Sequence, residues 1–291
     1  VLHIEDGTDM TTDDLASWRG RSETVHDELA SAQLLAAAAT FDDAILTSDR
    51  PATIPALWHW FYFLPRAPHA RLSPDGHPER GGFMPPVLLP RRMFAGSRMT
   101  FHAPLRLATP ARRDGVIREV TMKDGKSGPL AFVTVGYRIW QDGVLCLEEE
   151  QDIVYREQGA PVAAPVPIAL PVPPAHAITR DVTPDPRLLF RFSALTFNAH
   201  RIHYDREYAT RVEQYPGLVV HGPLTAVLLA NLVRQHTARE LATFSFRGVA
   251  PLFDLAPFRL VAIPDGDTVT CQALGPDGRI ALEATATLAP A

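Results

Sequence analysis

Residues 219–235 read VVHGPLTAVLLANLVRQ, and how they fold decides the architecture of the chain. From Gly222 to Val233 no residue is charged, so a helix here has no face to offer water and must be enclosed by other structure. Pro223 suits a first helical turn, where its missing N–H would have no intrahelical partner, so the helix begins at the His-Gly-Pro step. Four strand-like runs follow: 242–250 (ATFSFRGVA), 257–264 (PFRLVAIP), 267–274 (DTVTCQAL) and 279–288 (RIALEATATL). PDGD at 264–267 and GPDGR at 275–279 supply the glycines that tight turns need. The pattern predicts an antiparallel meander curved around a buried helix. Upstream, RLLFRFSAL (187–195) reads as a strand and DREYATRVEQY (205–215) as a short amphipathic helix.

The N-terminal half repeats the scheme without repeating the residues. Helical material at 30–44 (ASAQLLAAAATFDDA) and 54–64 (IPALWHWFYFL) precedes four runs at 97–107, 115–124, 129–140 and 144–155. Between the halves, closely spaced prolines at 157–187 remove backbone donors and favour extended chain, which marks a linker. The expected fold is α+β, a double hot-dog: two antiparallel sheets each wrapped around a helix, forming a pseudo-dimer in one chain. Residues 1–156 form the first unit, 157–187 the linker and 188–291 the second unit. A long irregular insert, residues 64–96, interrupts the first, and such loops in compact domains tend to be functional or disordered.

Composition narrows the function. A 291-residue chain with 46% hydrophobic and 21% charged residues can bury a substantial core. A formal charge of -5 provides no basic field for nucleic acid. No apolar run reaches the roughly 20 residues that span a bilayer, and the acidic N-terminus has no signal-peptide pattern. Cys146 and Cys271 lie in separate apolar runs and read as buried free thiols rather than a disulfide or a metal site. These features point to a cytoplasmic protein without membrane or nucleic-acid partners, and they leave room for a homodimer.

The chemistry concentrates in SALTFNAHRIHYDREYA (193–209) and in VVHGPL (219–224). His203 has a side chain able to take and return a proton near neutrality. Asn198 cannot, but its carboxamide can hold a water molecule. Gly222 lets the backbone approach a ligand, and the free N–H groups at the helix start favour developing negative charge. A base, an amide that orients water and an oxyanion donor together suit addition of water to an activated alkene such as an enoyl thioester.

With those residues in place, FNAHRIHYD (197–205) resembles the motif of the MaoC-like R-specific enoyl-thioester hydratases, of the form D-x-N-P-L-H. Aligning the final histidine puts His203 on the catalytic His, Asn198 on the catalytic Asp, His200 on the motif Asn and Arg201 on the Pro. LWHWFYFLP (57–65), DGHPERGGFMPP (75–86) and LPRRMFAG (89–96) resemble the branch with mesaconyl-CoA (3-methylfumaryl-CoA) hydratases, itaconyl-CoA hydratases and mitochondrial-type 3-hydroxyacyl-thioester dehydratases. The resemblance implies a hydro-lyase on a small acyl-CoA, with no cofactor beyond the coenzyme A of the substrate. It implies a degenerate first unit that shapes the acyl pocket and CoA tunnel. Asn198 in place of Asp argues against a carboxylate–histidine dyad and leaves His203 as the obvious base.

Plainer readings stand beside these. His203 can be an exposed helix-cap residue, and Asn198 an N-cap. His200, His203 and His221 lack a zinc spacing. Asp205 complements a helix start or repositions His203. His221 shapes its loop or touches substrate. Arg91 and Arg92 form a phosphate clamp for coenzyme A or a solvated turn, and Arg247 meets a substrate carboxylate or makes an ion pair. The rival functions are a thioesterase on the same fold and a non-catalytic acyl-thioester-binding protein.

Overall fold

The computed structural model describes residues 15–44, 46, 51–125 and 128–290; the acidic N-terminus and part of the turn at 123–128 lie outside them. The N-terminal half provides strands β1 (Ser22–Asp27), β2 (Arg91–Phe101), β3 (Ala111–Gly125), β4 (Gly128–Gln141) and β5 (Val144–Arg156). The C-terminal half provides β6 (Ile178–Val182), β7 (Leu241–Gly248), β8 (Phe258–Asp265), β9 (Thr268–Leu274) and β10 (Ile280–Leu288). Among the described residues the main α-helices are α1 (Ser31–Thr40), α2 (Pro186–Leu195) and α3 (Gly222–His236).

The ten strands of the described residues join one sheet in the order β1-β3-β4-β5-β2-β7-β10-β9-β8-β6. Each half follows the same path, with its first strand outermost and its second at the seam. There β2 pairs antiparallel with β7, Gly96 to Thr100 facing Arg247 to Thr243. The expected double hot-dog is therefore present, with the two sheets fused edge to edge, so each half covers an edge that the other would leave open.

Helix α3 lies against β8, β9 and β10, and every residue from Leu224 to Val233 is buried, as its lack of charge predicts. Its one buried amide is engaged across the halves: Trp58 Nε1 donates to Asn231 Oδ1 at 2.9 Å. At its C-terminal end Arg234 pairs with Asp43 of the first half. The first half has no helix of comparable length among the described residues. One face of its sheet is covered instead by the insert, where Val87 and Leu89 pack with Ile117, Val133, Val135 and Tyr155.

Several segments differ from their sequence reading. RLLFRFSAL is helix α2, not a strand: Asp185 caps it by accepting from the Leu188 N–H at 3.0 Å, Pro186 occupies the first turn, and Leu189, Phe192, Ser193 and Leu195 form its buried side. IPALWHWFYFL contributes only a 3₁₀ turn at Trp58–Phe61, since prolines at 55 and 65 leave little room for a helix. Residues 205–215 hold a π-helical turn, Tyr208–Val212. The linker's last residues are ordered as β6, paired with β8, and the start of α2. The insert ends at Pro90, where β2 begins. Among the described residues each half has five strands: the first half adds β1 to its four expected runs, and the second has β6 in place of the strand expected at 187–195.

A buried carboxylate anchors the middle of the sheet. Glu149 of β5 accepts from Trp60 Nε1 at 3.0 Å, Ser97 Oγ at 2.8 Å and Gln151 Nε2 at 3.0 Å, and its Oε2 lies 3.1 Å from His59 Nε2. Burial alone would raise its pKa, but the hydrogen bonds and charge from His59, with those from Ser97 and Gln151, outweigh it and hold the carboxyl below its ordinary range. Cys146 and Cys271 are buried free thiols.

Candidate active site

A cavity of about 1080 Å³ opens between the halves, lined by the 197–204 segment, the start of α3, the insert and the inner side of β2. His203 sits at its wall on a 3₁₀ turn, Arg201–His203, and is 7% exposed, so it is not a solvent-facing cap. Two hydrogen bonds bind that turn to the extended segment leading into α3. The Val219 N–H donates to Ile202 O at 3.0 Å, and His203 Nδ1 lies 2.7 Å from Val219 O. A carbonyl only accepts, so Nδ1 carries the proton and Nε2 keeps a lone pair. Burial disfavours the imidazolium and pushes the His203 pKa down to about 4, so near neutral pH the ring is an unprotonated base.

His221 lies face-on to His203, with ring centroids 3.5 Å apart and planes 19° from parallel. Its Nε2 is 2.9 Å from Ser193 Oγ of α2, and its Nδ1 is buried with no hydrogen-bond partner among the described residues. Burial first, and then the neighbouring His203 and His200, hold its pKa well below the ordinary 6.5. His221 borders the cavity but is 2% exposed, so its main contact is the flat face of His203.

Gly222 is the first residue of α3 and lines the cavity. Its N–H is one of the first four of the helix, which have no intrahelical acceptor. A Cβ there would meet only Phe94 O at 3.8 Å, an ordinary contact, so the surrounding protein leaves this position open. Asn198 also lines the cavity; its Oδ1 accepts from the His200 N–H at 3.0 Å, which leaves the amide NH₂ as its outward donor. Asp205 is turned away: it pairs with Arg201 Nη2 at 2.8 Å and accepts from the Tyr208 N–H at 3.0 Å. It caps a helical turn and does not assist His203.

The structure brings in two residues that the sequence reading missed. Asp75 and His77, on a turn of the insert, face His200 across the cavity wall. Asp75 Oδ2 is 3.0 Å from His77 Nδ1, and Asp75 Oδ1 accepts from the His77 N–H at 2.9 Å. The His77 and His200 rings are 4.1 Å apart, and His200 meets His203 edge-on at 5.4 Å. Burial would raise the pKa of Asp75, but hydrogen bonds and charge from His77 and charge from His200 win and hold the carboxyl far below its usual range. Asp75 is therefore ionised. Donor atoms of Asp75, His77 and His200 lie within 4.8 Å of one another, and the hydrogen bond between the first two accounts for that spacing without a cation. The signal in the sequence was a carboxylate and a histidine flanking a glycine inside a long loop.

The arginines divide. Arg91 is 5% exposed, its Nε 2.9 Å from Glu213 Oε2 and its guanidinium over the Tyr215 ring, so its charge is matched internally. Arg92 lines the cavity and makes no ion pair among the described residues. A paired phosphate clamp is thus not what this site presents. Arg247 corrects another expectation: it is on the outer face of β7, paired with Glu283 at 3.0 Å and away from the cavity wall, because alternation along the strand turns it outward.

A family model described as hydroxyacyl-thioester dehydratase type 2 matches residues 57–254. The chain is 64% identical over 282 residues to the mesaconyl-C(4)-CoA hydratase of Chloroflexus aurantiacus, covering 96% of this chain and 99% of the relative. Among solved structures, a MaoC-like dehydratase superposes with a TM-score of 0.71 at 12% identity, over 95% of this chain and all of that one. A Mycobacterium tuberculosis protein described as having a double hotdog fold superposes with a TM-score of 0.55 at 16% identity, over 95% of this chain and 98% of that one. At such identities the two structures speak to the fold alone.

Proposed function

The chain belongs to the hydroxyacyl-thioester dehydratase type 2 family, and from that premise we propose that it is a hydro-lyase adding water reversibly to mesaconyl-C4-CoA. The observation that carries the reading is the pairing of His203, kept unprotonated by burial and with Nε2 left free because its Nδ1–H is given to Val219 O, with the open start of α3 in one cavity. In this substrate the β-carbon bears both a methyl group and a carboxylate, and the α-carbon adjoins the thioester.

Water held by the Asn198 amide gives a proton to His203 Nε2 as its oxygen bonds to the β-carbon. The π electrons move toward the thioester oxygen, where the Gly222 N–H receives the developing charge. One such donor contributes about 10²–10³ in rate, and positioned acid–base catalysis about 10²–10⁴. The imidazolium then returns the proton to the α-carbon on the same face, giving syn addition. Arg92 supplies the counter-charge for the substrate carboxylate. That carboxylate would otherwise repel the enolate forming two carbons away, and a guanidinium fork suits it. Arg91, held by Glu213, keeps the wall of the acyl pocket in place.

No cofactor beyond the coenzyme A of the substrate is required by this route. A cytoplasmic location, where acyl-CoA esters and reduced thiols occur together, fits it. No helix of the described residues is long and apolar enough to cross a membrane. The test is steady-state hydration of a panel of enoyl-CoA esters by wild type and His203→Ala. Wild type should prefer the mesaconyl ester and the variant should lose at least about 10²-fold in kcat. Near-normal turnover in the variant refutes the role of His203, and release of free CoA without a hydroxyacyl product would make the protein a thioesterase.

A further inference from the structure

The D-x-N-P-L-H pattern supplies a carboxylate beside its histidine, and this chain has Asn198 at that place. The structure nevertheless puts a carboxylate in the same cluster of imidazoles, brought from the other half of the molecule. Asp75 hydrogen-bonds His77 at 3.0 Å, His77 packs on His200 at 4.1 Å, and His200 meets His203 at 5.4 Å. The turn carrying Asp75 is built onto the 199–201 backbone. Arg201 N–H donates to Asp75 O at 2.8 Å, and Gly76, at φ +96°, fits so closely that a Cβ there would fall 1.8 Å from Ala199 O.

We propose that Asp75 is the charge-balancing carboxylate of this site: a positioning residue that acts through His77 to stabilise the proton which His203 takes from water. This rests on the hydratase reading above. Asp75 neither gains nor loses a proton. It fixes His77 with the Nδ1 hydrogen toward its own Oδ2, and its negative charge offsets the positive charge that appears on His203 between attack at the β-carbon and return of the proton to the α-carbon. Without it the transient imidazolium would be a buried charge with the Val219 carbonyl at its Nδ1 and only the neutral rings of His221 and His200 against it. His77 itself faces Asp75, His200, Arg92 and Arg80, of which only Asp75 is negative.

The experiment compares wild type, Asp75→Asn, and Asp75→Asn combined with Asn198→Asp in hydration of mesaconyl-C4-CoA across pH. Asparagine at 75 keeps the oxygen that accepts from the His77 N–H, so the turn survives while the charge is lost. The single variant should lose about 10²-fold or more in kcat. The acid limb of its kcat/KM profile should move to lower pH, because removing a negative charge lowers the proton affinity of the imidazoles. The double variant, with the carboxylate restored at the opposite edge of the cluster, should regain part of the rate. Wild-type kcat and an unmoved acid limb in Asp75→Asn would overturn the proposal, as would a loss of rate with neither limb shift nor rescue. If Asp75→Asn does not fold, His77→Asn, which severs the link and leaves Asp75 ionised, should show the same loss of kcat, and a normal kcat there would be equally fatal. Should wild type hydrate no enoyl thioester, the hydratase reading falls and takes the assignment of Asp75 with it; an active wild type with an indifferent Asp75 removes the assignment alone.

Discussion

Replacing Gly76 with alanine tests the geometry of the site without touching any titratable group. The new Cβ would lie 1.8 Å from Ala199 O, 2.6 Å from the Ala199 carbonyl carbon and 3.2 Å from His200 Cα. Carbon atoms settle at about 3.5–4.0 Å from their neighbours. The insert turn and the 199–200 backbone must therefore separate by roughly 1.5 Å, since both sides of the contact are main chain and neither can rotate away. Holding alanine at φ +96° adds strain of about 1–3 kcal/mol. The same turn positions Asp75 and His77 and receives the Arg201 N–H, so the displacement reaches the cluster around His203. A misplacement of about 1 Å can lower rate by about 10²-fold. Gly76→Ala should remain folded, since the core around α3 lies elsewhere, and should melt a few degrees lower with kcat reduced about 10²-fold. Loss of enoyl absorbance gives the rate and circular dichroism the melting temperature. A variant with wild-type kcat would refute the close docking of the insert on the catalytic segment.

Other consequences follow from the buried groups. His203, His200 and His221 are all held below the ordinary 6.5, so the unfolded chain takes up protons first as pH falls. Their contribution to stability is complete above pH 6.5 and declines on acidification, with His203 alone worth about 3 kcal/mol once pH passes below its folded value near 4. Urea midpoints at about pH 7.5 and about pH 5 should show that loss, and equal midpoints would contradict it. Glu149→Ala strands His59, Trp60 and Ser97 in the sheet interior and should cost about 3–5 kcal/mol by denaturant titration. Arg92→Met should raise KM or lower kcat for the mesaconyl ester by about 10-fold or more while leaving a crotonyl ester, which has no carboxylate, little changed; equal losses on both esters would remove Arg92 from carboxylate recognition.

How far the chain could be read without coordinates varied with the length scale of the signal. The α3 helix and the eight long strands were legible because an uncharged apolar run and glycine turns are local patterns. Residues 187–195 misled because Leu188, Leu189, Phe190, Phe192 and Leu195 suit a strand as well as a helix, and only the Asp185–Pro186 start separates the two. His203, Asn198 and Gly222 were visible as a motif and a helix start. Asp75 and His77 were not, because more than a hundred residues separate them from His203 and no local pattern records that a positive-φ glycine docks one segment on the other. Asn198 read as the loss of a carboxylate, and the fold places one nearby from a different stretch of chain.

The boundary between the halves, crossed in the sheet by the pairing of β2 with β7, is crossed again by the contact between Gly76 and Ala199, so it divides both the sheet and the cluster of histidines. Cut within 157–177, the chain would yield two fragments, one holding Asp75 and His77 and the other His203, Asn198 and Gly222. Neither holds a whole site, so turnover would become bimolecular, rising with the product of the two fragment concentrations until reassembly saturates. For the same reason the halves are not free to diverge separately: a change on one shoulder of that contact selects for an answering change on the other, and exchange of halves between homologues succeeds only when both shoulders travel together.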